Sequence, residues 1–162
     1  MNLPHLHLVI NHLPIFGTMI GSLVLLHGLW SNSRSTLIAA YNVFLLSAIG
    51  ALIAYFTGEP AEELLENIPG VAEAAISAHE EAAEIAFICI SALGLLAGLA
   101  AINTWFSDKS SKALRYAVLV CAILSFGLMG RTGYLGGKIR HTELDGGQGT
   151  PASPTNGEQD KD

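Results

Sequence analysis

The stretch that decides the fold is IAFICISALGLLAGLAAINTWF, residues 85–106, which contains no Asp, Glu, Lys or Arg. A helix needs about 20 consecutive apolar residues to cross the hydrocarbon core of a bilayer, and this run meets that length. Residues 13–30 and 37–57 are equally free of charge, and residues 113–130 contain only Arg115. The sequence therefore predicts an all-α integral membrane protein, a bundle of four membrane-spanning helices.

The composition of the 162 residues supports this prediction and excludes other classes. Only 14% of the residues are charged and 51% are hydrophobic, with a mean hydropathy of +0.45. A soluble domain usually has about 25% charged residues. These values exclude a soluble enzyme, a nucleic-acid-binding protein and a disulfide scaffold. Cys89 and Cys121 both fall within spanning segments, where a cysteine is normally a small apolar filler.

Caps and breakers place the helices within a transmembrane domain at residues 1–144. Asn2 can cap the first helix, and Pro14 frees the carbonyl of Ile10, which predicts a local kink. The second helix is expected to end near Thr57, and a short surface helix to follow Pro60. The predicted helices cover about residues 3–30, 36–57, 71–106 and 113–141.

Two regions are expected to lie outside the hydrocarbon core. The surface helix and the first turns of the third helix form helical extensions on the outer side. Residues 145–162 are rich in Gly, Pro and Ser and contain no core-forming residues, so we expect a disordered tail.

The connections differ sharply in charge, and this difference predicts the orientation. The two short turns carry Lys and Arg, whereas residues 58–84 carry eight glutamates and no basic residue. The positive-inside rule places the short turns in the cytoplasm and both termini outside. The basic residues of the short turns are Arg34, Lys109, Lys112 and Arg115, and the glutamates are Glu59, Glu62, Glu63, Glu66, Glu73, Glu80, Glu81 and Glu84.

The six histidines are the candidate functional residues. Five of them map to the predicted outer end, and only His27 lies toward the inner end. Histidine is rare in membrane segments and usually faces the bundle interior, although an interfacial position can also tolerate it. We therefore predict metal ligands among the outer histidines: His7, His12, His79 and His141, with His5 as a further candidate.

The spacing of these histidines favours haem over other metal centres. HEEAAE, beginning at His79, lacks the second histidine of a zinc-protease helix, because Ala83 occupies that position. A di-iron bundle needs Glu three residues before each His, but Ile76 and Lys138 stand there. Two imidazoles from different helices can ligate one or two b-type haems. We expect His12, aimed inward by Pro14, to pair with His79, and His7 with His141.

A glycine series near the end of the fourth helix adds to this hypothesis. Gly127, Gly130, Gly133 and Gly136 recur every three residues, and Gly137 follows. Such a face permits either close helix packing or contact with a porphyrin. Basic side chains beside it could pair with haem propionates or with the glutamates of residues 59–84. The predicted cofactor-binding residues are Arg131, Gly133, Gly136, Gly137, Lys138 and Arg140.

Two short motifs carry a resemblance to a known family. HLVINHLPI, residues 7–15, and GYLGGKIRHTEL, residues 133–144, resemble a prokaryotic membrane family catalogued as domain of unknown function 2231. The resemblance implies that His7, His12, His79 and His141 are the family's matching positions, and that the function is haem-based electron transfer. The chain departs from the usual pattern at Leu8, where proline often stands, and in its acidic connection.

These observations lead to one functional hypothesis and two alternatives. We expect a b-type cytochrome of a bacterial cytoplasmic membrane, passing electrons between the quinone pool, or a membrane redox protein, and an extracytoplasmic carrier such as a soluble cytochrome c. The acidic connection would dock a basic carrier. A stand-alone enzyme is not indicated, and a homo-oligomer is compatible with the sequence. The alternatives are a His/Glu metal-binding or metal-transport protein and a structural subunit of a membrane complex.

Overall fold

The computed structural model describes residues 2–66, 72–107 and 111–140. Within these ranges every regular element is a helix, and the expected all-α four-helix bundle is confirmed. The predicted tail at residues 145–162 lies outside the described residues. The helices are α1 (Leu3–Ile10), α2 (His12–Ser31), α3 (Arg34–Glu66), α4 (Glu73–Phe106) and α5 (Lys112–Arg140).

Four helical segments are long and apolar enough to cross a membrane. Large apolar side chains cover the outside of the bundle, for example Leu95, which is 74% exposed. Trp30 and Phe106 are 84% and 82% exposed near the helix ends, where aromatic rings favour the membrane–water interface. The chain is therefore a multi-pass membrane protein. The spans are Leu3–Ser31, Arg34–Glu62, Glu73–Phe106 and Lys112–Ile139.

The first span is interrupted, as Pro14 predicts. Pro14 has no N–H to donate to the carbonyl of Ile10, and the helix breaks at Asn11, three residues before the proline. The Asn11 N–H still donates to the His7 carbonyl at 2.9 Å, so α1 ends on a normal turn. The Thr18 hydroxyl donates to the Pro14 carbonyl at 2.8 Å and supports the first turns of α2.

The predicted end of the second helix is wrong. Instead of stopping at Thr57 and restarting after Pro60, α3 continues through Pro60 to Glu66. The proline removes only one helical N–H, and the residues after it, AEELLE, are strong helix formers. Membrane helices tolerate an internal proline when other groups satisfy the freed backbone.

Glycines bring α2 and α3 into close contact. The Ser47 hydroxyl occupies the space that a side chain at Gly17 would need, and the Phe44 ring does the same at Gly21. This is the small-residue packing expected between membrane helices. The α3 helix also packs against α4, which packs against α5, and α5 closes onto α2. The short α1 packs mainly against α3.

The bundle has two chemically different ends. The histidine end contains α1, the last turns of α3 and α5, and the first turns of α4. The basic end contains the last turns of α2 and α4 and the first turns of α3 and α5, with Arg34, Lys112 and Arg115. Every acidic residue in the described ranges lies at the histidine end.

Candidate imidazole site

His7 is held by the last membrane turn of α3. Its Nδ1 lies 2.9 Å from the carbonyl oxygen of Ala54, and the Thr57 hydroxyl oxygen lies 3.4 Å from the same nitrogen. A carbonyl oxygen can only accept, so Nδ1 carries a proton, and in the neutral ring Nε2 is then the nitrogen with the lone pair. The ring is half-buried. His7 is thus fixed in the tautomer that a metal ligand through Nε2 requires.

His79 is held in the same way by α5. Its Nδ1 donates to the carbonyl oxygen of Thr132 at 3.0 Å, which again leaves Nε2 as the acceptor nitrogen. The ring lies against Gly136, where a Cβ would be 3.0 Å from its Cε1 atom. Gly136 is therefore the residue that gives the His79 imidazole its space.

The fold brings these two imidazoles to the same end of the bundle. His7 and His79 interact electrostatically, although 72 residues of chain separate α1 from α4 at these positions. Together with their carbonyl partners on α3 and α5, they join four helices at the histidine end. Metal-binding histidines commonly donate the second ring N–H to a backbone carbonyl, which orients the ring and raises its basicity.

Asn11 adds an unsatisfied acceptor beside this pair. It follows His7 by four residues and therefore lies on the same face of the helix. Its Oδ1 atom is buried and has no hydrogen-bond partner among the described residues. One turn further on, Ile15 packs against Gly133: its Cδ1 atom lies 3.1 Å from the position that a Cβ atom at Gly133 would occupy. An unpaired buried acceptor costs about 1–3 kcal/mol, so this oxygen marks a place for a donor.

His12 lies elsewhere, and the expectation that Pro14 aims it into the bundle is wrong. Its ring is exposed on the outside of α2 and stacks on Phe16, with the ring centroids 6.4 Å apart. Five residues correspond to about 140° around a helix, and the break at Asn11 does not bring His12 back to the face of His7. The proposed pairing of His12 with His79 therefore lacks the inward His12 ring that it requires, whereas His7 interacts electrostatically with His79.

The remaining histidines do not join this pair in the described structure. His27 is exposed near the basic end, with its ring edge-on to Trp30 at 5.9 Å, in agreement with an interfacial position. His5 is exposed and bonds Asn2 at the start of α1. His141, the predicted partner of His7, lies outside the described residues.

The glycines of α5 do not form one packed groove. Gly133 and Gly136 contact Ile15 and His79, whereas Gly127, Gly130 and Gly137 have no atom within 4 Å of a Cβ position. The predicted groove is therefore divided between two packed glycines and three that face open space.

The predicted basic partners on α5 lie near this end of the bundle. Arg131 is exposed, and the Lys138 ammonium group lies over the Tyr134 ring, 5.4 Å from its centroid. Arg140 ends α5, and its side chain lies outside the described residues. The structure thus places Arg131 and Lys138 on the same helix as Gly136.

The acidic face beside the site is solvent-exposed. Glu73, Glu80, Glu81 and Glu84 are exposed on the first turns of α4, and Glu59 is exposed on α3. These turns are helical without interruption, as expected for an extension of the third predicted helix. Among the described residues, no three or more His, Cys, Asp or Glu side chains form a group that could hold a metal ion.

Three comparisons with known proteins add no relative: no family model, no curated protein and no solved structure matches this chain. The resemblance to the domain-of-unknown-function family therefore stays a prediction.

Sequence reasoning missed the groups that hold the two imidazoles. Ala54 and Thr132 act through backbone carbonyls, which leave no signature in a sequence. Asn11 did have a signal, because its position four residues after His7 puts both side chains on one helix face.

Proposed function

We propose that the protein is a membrane b-type cytochrome in which His7 and His79 would hold the iron of one haem b. The observation that carries this proposal is the pair of Nδ1–H bonds to backbone carbonyls, at 2.9 Å for His7 and 3.0 Å for His79. In the neutral form of each ring, such a bond leaves Nε2 as the nitrogen that would bind the iron. Imidazole is a usual axial ligand of haem iron, and two ligands suffice where a bare ion needs three or four.

The residues around the pair suit a cofactor that is both apolar and acidic. Arg131 and Lys138 on α5, the helix whose Thr132 carbonyl holds His79, would provide cations for the carboxylates of haem. Arg140 is the third cation that we assign to this role, as the sequence predicts. Haem, when bound, supplies one-electron redox chemistry.

This chain's residues then set the conditions for electron transfer. The Ala54 and Thr132 carbonyls fix the orientation of the rings and make them stronger ligands. We propose that electrons pass between the quinone pool, or a membrane redox protein, and a carrier on the outer side, such as a soluble cytochrome c. The exposed glutamates of α3 and α4 would meet a basic carrier.

The test is the absorption spectrum of the purified protein and of four alanine variants at equal protein concentration. Wild type is expected to show a Soret band and the sharp reduced bands of low-spin haem. His7→Ala and His79→Ala should each lose the low-spin bands or the haem itself, because one axial ligand is removed. His27→Ala and His12→Ala, whose rings are exposed, should keep the wild-type spectrum.

Three outcomes would contradict the assignment. Wild type purified without haem absorption from cells that make haem would overturn the cytochrome proposal. Loss of the low-spin bands in His12→Ala with retention in His7→Ala would restore the other pairing. A sixth protein, His141→Ala, extends the test beyond the described residues. If His141→Ala loses haem while His7→Ala or His79→Ala keeps it, then His141 is a ligand. It would replace the histidine whose loss the protein tolerates.

A further inference from the structure

The basic end contains a cavity that the cytochrome proposal does not use. It lies between the last turn of α2 and the first turns of α5 and has a volume of about 280 Å³. Its lining combines two cations, an amide, a phenol and one aliphatic side chain. The lining residues are Leu29, Asn32, Lys112, Arg115 and Tyr116.

The backbone at the end of α2 turns Asn32 toward this cavity. Asn32 adopts a left-handed conformation with φ of 48°, which asparagine tolerates better than most residues. Its N–H bonds the Gly28 carbonyl and closes the helix. An Arg115 N–H donates to Asn32 Oδ1 at 3.3 Å, so the amide oxygen is used and the amide NH₂ remains a donor. The cavity wall therefore presents hydrogen-bond donors.

Two features of the cavity favour an anionic ligand. Lys112 and Arg115 line it, and α5 begins at Lys112, so the positive end of that helix dipole points the same way. The Ser111 hydroxyl caps this helix by accepting from the Leu114 N–H at 3.4 Å.

The position of the cavity indicates where its ligand comes from. Leu29 provides an apolar wall next to the cations. Tyr116 is 58% exposed and lies at the same end of the bundle as Trp30. Aromatic rings at this depth mark the membrane–water interface. An amphiphile with an anionic head and an apolar body fits this combination, because basic pockets between membrane helices bind acidic headgroups.

We propose that this cavity binds the phosphate group of an anionic phospholipid from the adjoining leaflet. Lys112 and Arg115 pair with the phosphate, the Asn32 amide and the Tyr116 hydroxyl donate to headgroup oxygens, and Leu29 lies beside the start of the acyl chains. The site is independent of the imidazole pair, since it lies at the other end of the bundle.

Native mass spectrometry of the intact, haem-competent protein tests this proposal. Detergent-solubilised protein is titrated with phosphatidylglycerol, with phosphatidylcholine and with inorganic phosphate, and the bound adducts are counted. The variants are Lys112→Gln, Arg115→Gln and the double change. Arg34→Gln is the matched control, because it removes one cation at the same end but does not line the cavity.

Wild type should bind one phosphatidylglycerol more tightly than any phosphatidylcholine. Each single cavity variant should weaken this binding about fivefold and the double variant roughly 25-fold, since a basic residue near a membrane surface contributes about 1 kcal/mol. Arg34→Gln should bind like wild type. Arg115→Lys should fall between wild type and Arg115→Gln, which separates loss of charge from loss of the bond to Asn32.

Equal weakening in Arg34→Gln would show a diffuse surface charge and overturn the site. Unchanged binding in the double variant would overturn it as well. A phosphate adduct that the cavity variants remove, without a preference for phosphatidylglycerol, would show a free-phosphate site and overturn the lipid assignment.

Discussion

The pair of half-buried histidines at one end of the bundle contrasts with the exposed histidine at the other. At the histidine end, His7 and His79 turn inward, and each ring is bonded to a carbonyl on another helix. At the basic end, His27 turns outward against Trp30, and the cations gather around a cavity at the surface. Histidine thus occupies two different environments in one chain, and the helix face on which it lies decides which one. A histidine count alone does not distinguish these positions, whereas the Nδ1 bonds to carbonyls on other helices do.

The largest expected effect concerns orientation: the two ends are expected to lie on opposite sides of the membrane. In a background with Cys89→Ala and Cys121→Ala, an impermeant maleimide applied to intact cells should label Glu73→Cys and leave Ser35→Cys unlabelled. Both positions are exposed, at the histidine end and the basic end respectively. The effect should be all-or-none, because short basic connections stay in the cytoplasm.

The unsubstituted background must remain unlabelled in this experiment, and lysed cells must label both single-cysteine proteins. Labelling of Ser35→Cys alone would reverse the orientation and place the imidazole pair on the cytoplasmic side.

The next effect concerns the space around His79. Gly136→Ala puts a methyl group 3.0 Å from the Cε1 atom of the ring, so the ring must move by a few tenths of an ångström. Overpacking of this kind typically costs about 1–3 kcal/mol. We expect altered low-spin bands and faster transfer of haem to an apo-acceptor protein. Gly130→Ala is the matched control, because nothing lies within 4 Å of its Cβ position.

Gly130→Ala should keep the wild-type spectrum and haem-transfer rate. If both alanine variants behave alike, the contact between Gly136 and His79 does not position the ligand.

The smallest effect is expected at the acidic face. Replacing Glu80, Glu81 and Glu84 by Gln should change the free energy of unfolding by less than about 1 kcal/mol, because exposed charges contribute little. Electron exchange with a basic carrier should slow by roughly tenfold at low salt. The difference should shrink as salt is added, since the Debye length shortens.

A neutral carrier should react equally with wild type and the triple variant. Stopped-flow traces that coincide at low salt for the basic carrier would remove the docking role from this face.

The fold was predictable because its dominant cause is visible in the sequence. Charge-free runs of membrane-spanning length allow few structures other than helices, and the helices found follow those runs closely. The errors lie where one residue admits two outcomes. Pro60 can start a helix or lie inside one, and the helix is continuous here, with strong helix formers following the proline. The close glycine contacts of α2 with α3 were also missed, because small residues do not reveal which neighbour they meet.

The site was less predictable than the fold. His7 and His79 were among the candidates, but their proximity depends on how α1 and α4 are rotated, and hydropathy alone does not determine this rotation. His12 was expected to point inward because of the Pro14 kink; the helix does break, at Asn11, but the break leaves the His12 ring exposed. Gly136 was predicted to contact a porphyrin, whereas the neighbour that the structure describes is the His79 ring.

The bonds that hold the two imidazoles have a consequence for biosynthesis. The acceptor carbonyl of His7 lies 47 residues further along the chain, and that of His79 lies 53 residues further. A nascent chain that has inserted only its first two spans contains an oriented His7 but no His79. The Thr132 carbonyl arrives only with the last span. Both ring orientations are thus complete only after the whole bundle has been inserted, so truncated chains are not expected to mature into a loaded protein.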